Sequence, residues 1–174
     1  MTVTIRKFAP DDWPLYRAIR LEALQREPQV YGTGLHQARA YTDDDWRQRL
    51  VNPDAGTFGA LDGDAAIGMA GWFLAPGANQ RHQASVIGVY VRDGYRGRAI
   101  GRRLVEATVA DAETRAEDVN LHVATTNEPA RRLYETLGFR VVATLPRALK
   151  YAGTYYDEHL MVREARPRDQ PVND

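Results

Sequence analysis

Val89-Tyr90-Val91-Arg92-Asp93-Gly94-Tyr95-Arg96-Gly97-Arg98-Ala99-Ile100-Gly101-Arg102-Arg103-Leu104 is the stretch on which the reading of this chain turns. Its left half continues a run from Ala84 that is rich in Val, Ile and Tyr, the composition of a buried strand. Its right half places Ile100, Leu104 and Ala107 at the spacing of one helix face. A glycine-rich turn joins the two. A strand that enters a helix through such a turn makes an anion site: backbone N–H groups point outward, the helix dipole adds about half a positive charge, and missing side chains permit close approach. Arg96, Arg98, Arg102 and Arg103 add fixed charge around it. The stretch reads as a pocket for a phosphorylated ligand.

Working outward, Val3 to Phe8 alternates as a first strand, and Pro10-Asp11-Asp12 opens a helix with Leu15, Ala18, Ile19 and Ala23 on its apolar face. Residues 29–41 read as a loop, and Thr42-Asp43-Asp44-Asp45 as the acidic start of a second helix. Asp62-Gly63-Asp64 is a hairpin turn between strands 57–61 and 65–74. After the central helix, Val119 to Ala124 reads as a strand parallel to 84–91, since a helix between two strands is a crossover. Asn127-Glu128-Pro129 caps a last helix, with Ala130, Leu133, Tyr134 and Leu137 on one face and Gly138 closing it. Strands at 140–145 and 156–162 follow, around a loop holding Pro146, Lys150 and Gly153. This order predicts one α/β (α+β) domain over residues 1–164: a mixed, mostly antiparallel sheet of about seven strands and about four helices. Residues 165–174 are polar and Pro-containing, the expectation for a flexible tail.

Composition narrows the function. With 174 residues and 44% hydrophobic content, the chain can bury one core. Twenty-three basic residues balance twenty-three acidic ones, so no global field draws nucleic acid or a membrane surface, and neither partner is expected. The lack of cysteine removes thiolate chemistry and Cys-based metal sites, and the four histidines show no ligand spacing; no metal is expected. There is no signal-type apolar core and no apolar run near the roughly 20 residues of a membrane span, so the expectation is a cytoplasmic protein, monomeric or homodimeric.

Two familiar phosphate loops do not fit. A P-loop needs Gly-Lys-Ser/Thr, which is absent, and a dinucleotide fingerprint needs glycines two and three apart, whereas Gly94, Gly97 and Gly101 are three and four apart. Arg96-Gly97-Arg98-Ala99-Ile100-Gly101 instead resembles the coenzyme A signature of the GNAT acetyltransferase superfamily, R/Q-x-x-G-x-G/A. Asn127-x-x-Ala130-x-x-Leu133-Tyr134-Glu135-x-x-Gly138-Phe139 is similar to that superfamily's second motif, and the order of elements agrees from about Val3 to Val162.

The resemblance implies acetyl transfer from acetyl-CoA to an amine of a small molecule or peptide. It implies pyrophosphate contacts at the turn, from Arg96, Gly97, Arg98, Ala99, Ile100, Gly101 and Arg102, and a pantetheine arm lying between splayed central parallel strands 84–91 and 119–125. Val89, Val91, Asn127 and Arg131 complete the implied cofactor set. Tyr134 becomes the acid that meets the departing thiolate. Many relatives carry a glutamate base eleven residues before the motif arginine; here that position is Ser85, which can hold a water but cannot keep a proton. The other candidates for the base are His82, His122, Glu22 or a carboxylate such as Asp157 or Glu158, unless the amine arrives already neutral. Ala99 stands where the family has glycine, and the expectation is a negative φ inside the first helical turn, where alanine is favourable. His122, between Leu121 and Val123, reads as a structural histidine. Two other classes stay open: a non-catalytic acyl-CoA sensor, and an RNA-binding α/β domain using the arginine cluster.

Overall fold

The computed structural model describes residues 2–164, so the expected tail at 165–174 lies outside the described residues. Seven strands form one sheet: β1 (Val3–Lys7), β2 (Ala55–Asp62), β3 (Ala65–Leu74), β4 (Gln83–Val91), β5 (Asp118–Ala124), β6 (Arg140–Tyr151) and β7 (Thr154–Glu164). Their order is β1-β2-β3-β4-β5-β7-β6, antiparallel throughout except for the β4–β5 pair. The predicted mixed sheet and its parallel pair are therefore present. Five α-helices accompany it: α1 (Trp13–Arg26), α2 (Leu35–Arg39), α3 (Asp43–Val51), α4 (Ile100–Ala112) and α5 (Glu128–Thr136).

Each helix starts where its side chains permit. Thr42 accepts from the Asp45 N–H at 3.2 Å, while Asp45 accepts from the Thr42 N–H at 2.7 Å; this capping box begins α3. Asn127 caps α5 by accepting from the Ala130 N–H at 3.2 Å, and Gly138 at φ +87° lets the chain leave it. On one face of the sheet, Leu104, Val105 and Val109 of α4 and Tyr134 of α5 bury against strand residues such as Val86, Val119, Leu121 and Met161. On the other, Ile19 and Ala23 of α1 pack with Phe8, Met69 and Tyr90, and Leu24 packs with Ala38 and Trp46.

Three expectations need correction. The segment 29–41 is not a plain loop: it holds a 3-10 turn at Pro28–Val30 and α2, whose Ala38 is buried. Ala18 is exposed and Leu24 takes its place on the buried face of α1. The expected loop around Pro146 and Lys150 is strand, because β6 and β7 run on as a long hairpin to a tight turn at Ala152-Gly153, with a register shift between Leu145 and Leu149 where Pro146 cannot donate to the ladder.

Two irregularities in β4 shape everything that follows. Opposite β3 the register moves from Tyr90↔Met69 to Ile87↔Gly71, so Gly88 and Val89 together face Ala70. Gly88 adopts φ +65°, the left-handed conformation that such a bulge asks of one residue. On its other side β4 pairs with β5 only from Gln83↔Asp118 to Val86↔Leu121, although both strands continue. Beyond Val86 the parallel strands part, as the resemblance implies.

Candidate active site

The opening between β4 and β5 leads to a groove of about 550 Å³ at the start of α4. Val89, Val91, Arg96, Gly97, Ala99, Ile100, Gly101, Arg102, Asn127 and Tyr134 all line it, so the structure brings most of the predicted residues together. The N–H of Arg103 bonds to the Ala99 carbonyl at 3.0 Å, which leaves the amides of Ile100, Gly101 and Arg102 ahead of the first intrahelical bond. Gly97 has φ +76° and Ala99 φ +58°, while Arg98 between them is not in the left-handed region. Alternation of that kind turns successive N–H groups toward one side and makes a concavity suited to an anion.

Ala99 therefore departs from its expected conformation. It is the N-cap of α4, not a residue of its first turn, and is left-handed at φ 58°, ψ 11°. Alanine there costs about 1–2 kcal/mol. The turn geometry needs the positive φ whichever residue occupies it.

The arginines divide. Arg96 donates from Nε to the Val91 carbonyl at 2.9 Å and ion-pairs with Glu27, which also lines the groove. Arg102 reaches Glu106 at 2.8 Å and Thr136 at 3.3 Å from an exposed position. Arg98 sits with its guanidinium carbon 5.5 Å from the Tyr95 ring and does not line the groove. Arg131 is held by Glu128 at 2.6 Å and by Glu135, both on its own helix, and is likewise outside the lining. Of these four arginines only Arg96 and Arg102 line the groove, and protein groups engage both.

A second cavity, about 480 Å³, shares Glu27, Val89, Asn127 and Tyr134 with the groove and continues on the far side of the split. Tyr134 stands at the junction. It is 7% exposed, packs edge-on to Phe139 at 6.1 Å between ring centroids, and burial pushes its phenol up to about 12. Burial is the sole cause of that shift, and no protein group hydrogen-bonds its hydroxyl among the described residues. Asn127 uses Oδ1 for its cap, which leaves its amide donors for the groove.

Ser85 lines the second cavity and donates to Asn120 Oδ1 at 2.7 Å across the last paired rungs of β4 and β5. The candidate bases separate by position. Glu22 is clamped by Arg92 at 2.7 Å and Tyr90 at 3.0 Å, hydrogen bonds from Arg92 first of all holding its carboxyl below the usual range. His82 stands beside Gln83 away from both cavities, and Asp157 accepts from the Arg147 N–H at 2.8 Å. His122 and Glu158 both line the second cavity, 3.4 Å apart from Nδ1 to Oε2. His122 thus faces the cavity from β5, where its place between Leu121 and Val123 read as structural.

Sequence reasoning missed Gly88 and Arg20, which line this cavity and a third one beside it; a glycine inside a Val/Ile run was the available signal for the bulge.

Residues 18–139 match the Acetyltransferase (GNAT) family. The chain belongs to the GNAT acetyltransferase family. It is 31% identical over 128 residues to the N-alpha-acetyltransferase RimI of Mycobacterium tuberculosis, covering 71% of this chain and 78% of that protein. It is 35% identical over 108 residues to an uncharacterized protein of Mycobacterium leprae, covering 62% of this chain but only 29% of that protein's length. The fold superposes on yncA of Salmonella typhimurium, solved with its cofactor acetyl-CoA, with a TM-score of 0.81 at 19% identity over 98% of each chain. The mostly antiparallel sheet with one parallel pair is therefore the GNAT fold.

Proposed function

We propose that this protein is an N-acetyltransferase that moves an acetyl group from acetyl-CoA to a primary amine of a small molecule or peptide by direct attack. The observation that carries the reading is Tyr134: a buried phenol with no protein partner, shared by a main-chain anion groove and a second cavity. Membership of the family and the relation to an N-alpha-acetyltransferase support amine chemistry.

The residues present fit the co-substrate. The turn at Gly97–Arg102 would hold its diphosphate by amides, and the parted edges of β4 and β5 near Val89 and Val91 would hold its amide-bearing arm. When bound, it supplies an activated acetyl thioester. Tyr134 is the donor to the departing sulfur. A thiol pKa near 8.5 against a phenol at about 12 makes full proton transfer uphill by about 5 kcal/mol, so Tyr134 donates a hydrogen bond as charge grows and does not surrender its proton early.

The costlier step lies on the amine. Neutralising an alkylamine of pKa near 10.4 at pH 7 takes about 4–5 kcal/mol. Glu158, 13% exposed on its side chain and beside His122, is the base that the cavity offers, with Ser85 placed to hold a water on the way. A thermal-shift titration with acetyl-CoA, followed by an amine screen for thiol release, tests the reading. Stabilisation with amine-dependent release is expected. Stabilisation by RNA and none by acetyl-CoA would sink it, and binding without release from any amine would leave only a sensor.

A further inference from the structure

We propose, building on the transferase reading, that Arg20 anchors a carboxylate on the acceptor, so that the substrates are amino carboxylic acids and not simple amines. Arg20 lies on α1 and lines both cavities on the acceptor side, which adjoin at Thr33, Phe73, Ile87 and Gly88. Its Nη1 is buried and has no hydrogen-bond partner in the protein. The guanidinium carbon rests 4.6 Å from the centroid of the Tyr31 ring, and Nη1 is 3.4 Å from where a side chain on Gly88 would begin. The bulge that parts β4 from regular pairing thus also clears the space into which Arg20 reaches.

The surrounding charges leave Arg20 unmatched. On the same helix Arg17 pairs with Asp43 at 3.3 Å, and Glu22 is taken by Arg92. In the second cavity Glu27 is paired with Arg96 and Glu158 faces His122. The third cavity contains Arg20 and Arg49 and no carboxylate in its lining. Arg49 is also without an ion pair among the described residues: it lies 4.4 Å from the centroid of the Tyr41 ring, and Asp45, one turn earlier, is occupied by Thr42. A buried guanidinium N–H demands an acceptor, and the planar fork of arginine matches a carboxylate in two bonds. Glu22 and Glu27 are engaged by other arginines, and Glu158 on β7 stands against His122 with no ion pair to Arg20, so that acceptor arrives with the substrate. Exposed Phe73 and Ile87 beside it suit an apolar side chain on the same molecule.

The test compares leucine with leucinamide, and phenylalanine with phenylalaninamide, by acetyl-CoA-dependent thiol release. The amide has the less basic amine and is the easier nucleophile at neutral pH, so a preference for the acid reports recognition. We expect kcat/KM at least tenfold higher for the acids. Arg20→Gln should lower the acids at least tenfold and the amides less than twofold, with KM for acetyl-CoA unchanged, and Arg20→Lys should recover part of the loss. Equal use of acids and amides by the wild-type protein overturns the inference, and that comparison needs no variant to fold. So does an equal loss on both in Arg20→Gln, which would mark a structural arginine. Release of thiol from no amine at all, acid or neutral, overturns the transferase reading and takes this inference with it.

Discussion

The groove at the mouth of α4 and the proposed acceptor cavities beneath α1 lie on opposite sides of one split in the sheet, and they are built differently. The groove centres on main chain at its mouth: amides of consecutive residues, turned by positive φ at Gly97 and Ala99, with Arg96 and Arg102 already engaged and Arg98 outside the lining. The acceptor side is made of side chains drawn from α1, α3, β3, β4, β5 and β7, which approach each other only in the fold. A main-chain site tolerates change in the side chains around it. A side-chain site changes specificity with a single substitution. Four variants press on that difference.

The largest effect is expected at Glu158→Gln, which removes the proposed proton acceptor: kcat/KM should fall by about a hundredfold or more, with acetyl-CoA affinity intact. Steady-state rates beside a binding titration decide it, and wild-type turnover would remove Glu158 from the chemistry. Tyr134→Phe comes next, with kcat lowered severalfold to about a few hundredfold and acetyl-CoA binding within twofold. Because burial holds this phenol near 12, wild type and variant should share the same basic limb in their rate profiles up to about pH 10. A basic limb that vanishes in the variant would contradict that.

Glu22→Gln acts on the frame of the acceptor wall, since the Glu22–Arg92 pair ties α1, and with it Arg20, to the end of β4. The expected loss is about 1–2 kcal/mol at pH 7, discounted for partial exposure. The carboxyl is held below its ordinary range when folded, so its contribution is present above the unfolded pKa of about 4.3 and disappears as pH falls through the lower folded value. Denaturant midpoints of wild type and variant should therefore converge at low pH; a constant gap would refute the assignment. The smallest effect is Ala99→Gly. Relief of left-handed alanine, about 1–2 kcal/mol, is partly offset by the entropy of glycine, so a gain of up to about 1 kcal/mol is expected in the same measurement.

What was legible in the sequence follows the same division. The anion turn, both motif helices and the parallel pair could be read because each is a local pattern: a strand, a glycine turn and a cap lie within a few residues of one another. Ala99 was misread for a related reason. Helix propensity favoured a negative φ, but the turn that aims the amides set the backbone, and alanine accepted the strain. Arg20 was invisible because nothing near it in sequence sets it apart from Arg17 or Arg26; only burial and the lack of a partner do. His122, flanked by Leu121 and Val123, read as structural; only the fold shows that its half-exposed ring stands beside Glu158 in the second cavity.

That split has a cost in cohesion as well as a use. Past Val86 and Leu121 the sheet has two inner seams in its middle, where Arg96 and Tyr31 reach the carbonyls of Val91 and Val89 but β4 and β5 no longer pair with each other. Whatever zips those seams becomes a structural component, and a co-substrate present at a hundred times its dissociation constant would add about 2.7 kcal/mol to the stability of the chain. Supply of the acetyl donor would then govern how long each copy survives as well as how fast it turns over.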